Sequence, residues 1–215
     1  LLAIGDIEDP YFRMNERNVQ WIDKEDWKYR LEFDVPSEVF SKDNIFICFD
    51  GIDTFADVTL NGKSIISSDN MFRVWRADVK DVLKQDGNVL EVYFHSITKK
   101  GLELLEKSPY RFPAANDLSQ IGGLYDKKIS MYMRKAPYNF GWDWGPRIIT
   151  MGIWKPVRLE GWNNARIEDT HYITSSLKSR QADLDVKVNV QSDKLIADAE
   201  LVISNNGKIY SKVPV

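Results

Sequence analysis

The segment Pro137–Arg147, with the sequence PYNFGWDWGPR, carries the residues best suited to bind a ligand. Trp142 and Trp144 bracket Asp143, and a glycine lies on the outer side of each tryptophan. An indole offers a wide apolar face on which the C–H face of a pyranose ring can stack, and a carboxylate accepts short hydrogen bonds from hydroxyl groups. Tryptophans beside an acidic acceptor are therefore the minimal equipment of a sugar subsite.

The same residues also fit a purely structural role. Trp142 and Trp144 lie two positions apart, so on a strand both side chains would point to one face of the sheet. They would then cover the end of a core, with Asp143 in solvent or bonded to a backbone N–H. The spacing alone leaves both interpretations open.

No other group of residues indicates catalysis or metal binding. His95 and His171 are far apart and have no cysteine partners at metal-like spacing, so a structural role is expected for each. Cys48 is the single cysteine, which excludes an internal disulfide, and its apolar surroundings predict a small core residue. The sequence also contains no nucleophile elbow and no phosphate-binding glycine loop. The residues themselves therefore indicate no activated nucleophile, no phosphate site and no metal site.

The composition is that of a folded globular protein. Of 215 residues, 43% are hydrophobic and 28% charged, and the net charge is −3. No basic stripe is present, which argues against a nucleic-acid partner. No apolar run approaches the ~20 residues of a membrane span, so none is predicted.

Short strands separated by turn signals dominate the pattern. Trp27–Val35 alternates apolar and charged residues, which predicts a half-buried strand, and Ile129–Arg134 is also predicted as a strand. Asn61-Gly62 between two strand-like runs predicts a hairpin, because both turn residues must adopt positive φ. Only Gly101–Lys107 has a clear helical period. The pattern as a whole predicts an all-β sandwich.

One long irregular segment and two alternating stretches near the C-terminus also shape the predicted organisation of the chain. Ser108–Lys128 is long and irregular, and such segments in compact domains tend to be functional. We expect it to meet the tryptophan segment at one edge of the sandwich. Apolar and polar residues then alternate over 184–190 and again over 195–203, which predicts the first strands of a second sandwich.

The chain resembles the N-terminal region of β-mannosidases of glycoside hydrolase family 2 over Asp9–Trp162. The matching segments are DPYFRMNERNVQWIDKEDWKYRLEFDVP, FDGIDTFADVTLNGK, NMFRVWRADV and RKAPYNFGWDWGPRIITMGIWKPVRLEGW. The most specific of them is KAPYNFGWDWGPR, which favours β-mannosidases over the β-galactosidase and β-glucuronidase branches.

The resemblance implies the beginning of a modular enzyme. Residues 1–165 are expected to form a jelly-roll, galactose-binding-domain-like β-sandwich without its first strand. Residues 166–215 are expected to form the truncated start of an immunoglobulin-like β-sandwich. Family members remove terminal non-reducing β-D-mannose with retention, using two carboxyl groups about 5–5.5 Å apart. The resemblance places both on a TIM barrel outside this chain, so the chain alone is expected to be inactive and to need no cofactor.

The resemblance also implies roles for the tryptophan segment. Asp143 would accept hydrogen bonds from mannose hydroxyls, Trp144 would line the −1 subsite and Trp142 would anchor the loop. Arg147 would contact the sugar, or pair with Asp143 or with a barrel carboxylate. The implied partners are β-mannosides or mannose-containing oligosaccharides and, within the full protein, the TIM barrel.

Three alternatives stay open at the level of sequence. The chain could be a free-standing carbohydrate-binding module, a β-sandwich that binds a protein through its aromatic loop, or part of a family 2 glycosidase of another specificity. The compartment is also open, with an extracytoplasmic one favoured over the cytoplasm.

Overall fold

A computed structural model describes residues 1–192 and 200–214. The chain divides into two compact units, residues 1–41 with 45–160 and residues 42–44 with 161–215. The tryptophan segment and all the elements that support it belong to the first unit.

Residues 1–162 form short strands and short helices, and six of the strands, over residues 44–94, follow one another without a helix between them. The strands are β1 (Trp27–Phe33), β2 (Asn44–Phe49), β3 (Ile52–Asp53), β4 (Phe55–Leu60), β5 (Lys63–Asp69), β6 (Trp75–Asp78), β7 (Asn88–Phe94), β8 (Gly152–Ile153) and β9 (Val157–Trp162). The α-helices are α1 (Ser37–Phe40) and α2 (Ile97–Lys107), and 3-10 helices lie at Leu2–Ile4, Asn15–Val19, Ile22–Lys24, Ser130–Tyr132 and Pro137–Phe140. Among the described residues, none of the helices has the length and apolar character needed to cross a membrane.

Two layers of strands enclose the main core, which confirms the predicted all-β sandwich. One sheet has the order β1-β7-β4-β5 with antiparallel neighbours, and the other has the order β6-β2-β9. Alternate residues of β4 and β7 point inward, as the period of two requires. The buried core consists of Val35, Ile45, Ile47, Phe49, Ile52, Ala56, Val58, Leu60, Ile66, Val79, Leu83, Leu90, Val92 and Phe94.

The hairpin between β4 and β5 forms where the sequence predicts it. Asn61 has a φ of 52° and Gly62 a φ of 81°, the left-handed backbone that a tight hairpin needs. The Asn61 side chain also donates to the Val82 carbonyl at 2.9 Å and accepts from the Val89 N–H at 2.9 Å. The turn residue therefore ties the hairpin to its neighbours.

Strand β1 is more exposed than its alternating pattern predicts. Tyr29 is 44% exposed and Leu31 57% exposed, because β1 is an edge strand that pairs only with β7. Both side chains line an open apolar groove of about 590 Å³ together with Ile153, Val157 and Leu159. Alternation thus identified the strand correctly but not how far its apolar face is covered.

A second, smaller core lies under the loops that follow β7. Its buried members are Ile97, Leu105, Ile129, Phe140 and Ile149. Helix α2 approaches this core at Gly101, where a Cβ would lie 2.7 Å from Met133 Cε and 2.9 Å from Ile129 Cβ. The small core joins α2 to the irregular chain that leads into the tryptophan segment.

The predicted strand over Ile129–Arg134 is wrong. The chain forms a 3-10 turn at Ser130–Tyr132, and an isolated bridge joins Arg134 to Asn70, just beyond the end of β5. The Asp117 carboxylate accepts the N–H groups of Ile129 and Ser130 at 2.9 and 3.0 Å. Those donors are therefore not available for a ladder of strand hydrogen bonds.

Cys48 and His95, which were predicted to have structural roles, both lie in structural surroundings. Cys48 is fully buried, and burial, followed by the nearby Glu160 carboxylate, raises the pKa of its thiol to about 11. His95 Nε2 lies 2.7 Å from Asp57 Oδ2. Both residues are accounted for by packing and pairing within the sandwich.

In the second unit, the described residues 165–192 and 200–214 form two antiparallel ribbons. Strand β10 (Ala165–Lys178) pairs with β11 (Gln181–Ser192), and β12 (Glu200–Asn205) pairs with β13 (Lys208–Pro214). The alternation over 184–190 lies in β11, where much of its apolar face is solvent-exposed. Of the second predicted alternation, residues 195–199 lie outside the described residues.

Candidate functional site

Within the tryptophan segment, residues 142–145 form a tight four-residue turn, the tryptophan turn. The Trp142 N–H donates to the Gly145 carbonyl at 3.0 Å, and the Gly145 N–H donates to the Trp142 carbonyl at 3.4 Å. The two indoles are tilted by 52° with ring centroids 6.3 Å apart. The reciprocal backbone bonds hold Asp143 and Trp144 at the tip of the turn.

The tip of this turn faces solvent rather than a core. Trp144 is 83% exposed, Asp143 is exposed and Trp142 is half-buried. The exposed indole does not fit a role in covering the sandwich core. Trp144 is therefore accessible to a ligand, and its binding role, like the anchoring role of Trp142, stays a prediction.

A pocket of about 420 Å³ brings the turn together with a distant part of the chain. It is lined by Pro10, Tyr11, Arg13, Glu16, Leu118, Trp142, Asp143, Trp144, Gly145 and Pro146. The volume lies within the range usual for small-ligand sites. Three of the four predicted site residues, Trp142, Asp143 and Trp144, thus share one concavity.

The segment 10–16 was not predicted as part of the site. Its local turn is held by Asp9, whose carboxylate accepts the Tyr11 N–H at 2.9 Å and whose carbonyl accepts from Asn15 Nδ2 at 3.0 Å. Tyr11 and Arg13 are exposed. The available signal was a pair of aromatic residues and an arginine in a stretch with no strand or helix period.

The structure places Arg147, the fourth predicted site residue, beneath the turn instead of in the pocket. The side chain is 1% exposed, and its Nη2 lies 3.1 Å from Asp23 Oδ2. Gln20 Nε2 donates to the Arg147 carbonyl at 2.7 Å, and the guanidinium donates to Gln20 Oε1. The partner is therefore Asp23, not Asp143, and the geometry gives Arg147 a positioning role.

A second buried ion pair anchors the chain ahead of the turn. Lys135 Nζ lies 2.5 Å from Asp53 Oδ2 and donates to the Thr150 carbonyl at 2.7 Å. Burial disfavours the ammonium and lowers the pKa of Lys135, while the Asp53 carboxylate opposes that shift. The two ion pairs fix the chain on both sides of the tryptophan turn.

Gly141 fixes the entry to the turn, and its replacement by alanine is expected to destabilise the protein. Its φ is 100°, and a Cβ would lie 2.6 Å from Leu118 Cδ1. We expect Gly141→Ala to lower the free energy of unfolding by about 1–3 kcal/mol, measured by urea denaturation of the 215-residue chain. Gly145→Ala is the matched control, because its Cβ would meet nothing nearer than 3.5 Å. Equal losses in the two variants would contradict this explanation.

The pocket offers side chains that can bind a ligand. They include an exposed indole, an acceptor carboxylate and an arginine. Within residues 1–192 and 200–214, no group of three His, Cys, Asp or Glu side chains is placed to hold a metal ion. Stacking and hydrogen bonding to a polyhydroxylated ring are the chemistry that these side chains provide.

Comparison with known proteins identifies the fold and the family. Residues 1–155 match the family model described as the glycosyl hydrolase 2 galactose-binding domain-like domain. A solved structure of β-D-mannosidase from Dictyoglomus thermophilum superposes on all of this chain with a TM-score of 0.88 and 38% identity. The superposition covers 25% of that protein.

Curated relatives give the same result. The chain is 37% identical to β-mannosidase B of Thermothelomyces thermophilus over 92% of its own length and 22% of the relative's. It is 39% identical to β-mannosidase B of Emericella nidulans over 79% of its length and 19% of the relative's. The chain thus spans about a fifth to a quarter of the proteins that it matches.

Proposed function

The chain belongs to the glycosyl hydrolase 2 galactose-binding domain-like family, and from that membership we propose that it is the N-terminal, non-catalytic part of a retaining exo-β-mannosidase. The full protein would release terminal non-reducing β-D-mannose. Residues 1–165 would form the jelly-roll domain, and residues 166–215 the start of an immunoglobulin-like domain. The catalytic carboxyl pair would come from a TIM barrel elsewhere in the protein.

The observation that carries the proposal is the exposed tip of the tryptophan turn. Trp144 is 83% exposed beside an exposed Asp143, and two buried ion pairs support the chain that presents them. A rigidly held aromatic surface of this kind is what a site shared with another domain requires. In the full protein the turn would reach the mouth of the barrel and form part of the −1 subsite.

Full-length protein, produced from the gene that encodes this chain, tests the proposed activity. We expect it to hydrolyse 4-nitrophenyl β-D-mannoside and to release β-mannose first, as NMR would detect for a retaining enzyme. The 4-nitrophenyl α-mannoside, β-galactoside and β-glucuronide serve as controls. If one of these control substrates is hydrolysed faster than the β-mannoside, the proposed specificity is wrong. If none of the four substrates is hydrolysed, the proposed activity is wrong.

A free-standing carbohydrate-binding module is the second candidate, because the exposed Trp144 would also suit a binding site that works alone. Calorimetric titration of the 215-residue chain with mannose and mannobiose separates the two. A half-site is expected to bind neither sugar measurably, since association costs several kcal/mol before any net affinity appears. Millimolar or tighter binding by the chain alone would favour the module.

A further inference from the structure

We propose that Arg13 is a second hydroxyl-reading residue of this site, and that it donates hydrogen bonds to the sugar on which Asp143 acts as acceptor. The inference rests on the proposed function and extends it to a segment with no assigned role. It makes the pocket selective for the hydroxyl pattern of a neutral hexopyranose.

The first support is the convergence of two chain segments. Residues 10–16 and 142–146 are more than a hundred positions apart, yet they line the same pocket. They are joined beneath it by Gln20, whose side chain bonds both the carbonyl and the guanidinium of Arg147. Because that connection is buried, the two walls are held at a set position relative to each other.

The second support is the backbone of Arg13 itself. Its φ is 56°, in the left-handed region that residues with a Cβ adopt at an energetic cost. The flanking chain holds this conformation through the bonds that Asp9 makes to Tyr11 and Asn15. Unfavourable backbone that the surrounding structure maintains is a feature of functional sites.

The third support is that the N–H groups of the Arg13 guanidinium are available to a ligand. Arg13 Cζ lies 4.9 Å from the centroid of the Phe12 ring, a contact that uses the planar face and leaves the N–H edges free. Among the ion pairs found within the described residues, none involves Arg13, although Asp143 and Glu16 line the same pocket. An arginine with free donors and a carboxylate with free acceptors that line one pocket can bind different hydroxyls of one ring.

The charges around the pocket indicate the class of sugar. Arginine only donates and an ionised carboxylate only accepts, whereas each sugar hydroxyl does both. Arg13, Asp143 and Glu16 together contribute one positive and two negative charges. An anionic sugar such as a uronic acid would meet net repulsion there, so a neutral ring with vicinal hydroxyls fits the site best.

Kinetics of the full-length enzyme test this role. We expect Arg13→Gln to lower kcat/KM for 4-nitrophenyl β-D-mannoside by about 10- to 100-fold, the usual effect of losing hydrogen bonds to a charged group. Arg13→Lys keeps the charge but not the planar fork, and is expected to recover part of the loss. Arg17→Gln, at an exposed arginine that does not line the pocket, is expected to stay within twofold of wild type.

Deoxy substrates separate hydroxyl recognition from a structural effect. The 2-, 3-, 4- and 6-deoxy forms of the substrate each lack one of the four free hydroxyls. If Arg13 binds one of them, the penalty of Arg13→Gln shrinks below about threefold for that analogue and persists for the others. An equal penalty for every analogue, or a kcat/KM within twofold of wild type for Arg13→Gln, would overturn the inference. A wild-type enzyme without β-mannosidase activity would instead overturn the proposed function.

Discussion

Replacing Asp143 by asparagine in the full-length protein is expected to lower kcat/KM for 4-nitrophenyl β-D-mannoside by at least about 100-fold. Asparagine keeps the shape of the side chain but loses the negative charge that strengthens hydrogen bonds from sugar hydroxyls. Two such bonds, each worth about 1.5–3 kcal/mol, account for a loss of this size.

The loss is expected without a change in folding. Asp143 is exposed, and no hydrogen bond or ion pair to it is found among the described residues, so the substitution leaves no partner unsatisfied. The thermal unfolding midpoint of Asp143→Asn should therefore match that of wild type. Asp81→Asn is the matched control, an exposed aspartate outside the pocket, and is expected to be neutral in both measurements. A kcat/KM within twofold of wild type for Asp143→Asn would remove Asp143 from the −1 subsite.

Local sequence signals predicted the elements whose determinants are local. The Asn61-Gly62 hairpin formed because the turn chemistry is contained in two residues. The helix predicted over Gly101–Lys107 is present but begins at Ile97, because the Ser96 side chain caps it by accepting the Lys99 N–H at 3.1 Å. Patterns of this kind require no knowledge of the rest of the chain.

Features that depend on distant partners escaped prediction. The strand expected over Ile129–Arg134 was displaced by Asp117, whose carboxylate takes two of its N–H groups. Arg147 was predicted to bind the sugar or a nearby carboxylate because it belongs to the segment that carries the family resemblance, but its partner is Asp23, which holds it in the interior. Arg13 lines the pocket because the fold brings residues 10–16 next to residues 142–146, which are distant in sequence. In each case the deciding partner lies well away in sequence, where periodicity carries no information.

Among the single interactions considered, breaking the buried ion pair of Arg147 and Asp23 is expected to lower the free energy of unfolding the most. Both side chains are nearly inaccessible, and Thr98 also donates to Asp23 at 2.5 Å. Asp23→Asn would leave a buried guanidinium without its counter-charge, and Arg147→Met would do the same to the carboxylate. Each is expected to lower the free energy of unfolding of the 215-residue chain by about 3–5 kcal/mol in urea denaturation.

The double variant Asp23→Asn/Arg147→Met distinguishes the pair from two independent contributions. Because it removes both charges, its loss should be clearly smaller than the sum of the two single losses. Asp50→Asn breaks the more exposed pair with Arg158 and is the control, with an expected loss much smaller than that of either buried single variant. Additive losses would mean that the two residues do not stabilise each other.

The same pair links stability to the site. Asp23 and Gln20 follow the segment that carries Arg13, and Arg147 follows the turn that carries Asp143. Gly122 packs directly against the guanidinium of Arg147, because a Cβ at this position would come within 2.5 Å of Arg147 Cζ. The guanidinium therefore has no room to shift toward Gly122. Loss of the pair is therefore expected to separate the two walls of the pocket. In the full-length enzyme, Asp23→Asn should lower kcat/KM although Asp23 lies beneath the pocket, and an unchanged kcat/KM would show that the walls hold their positions without it.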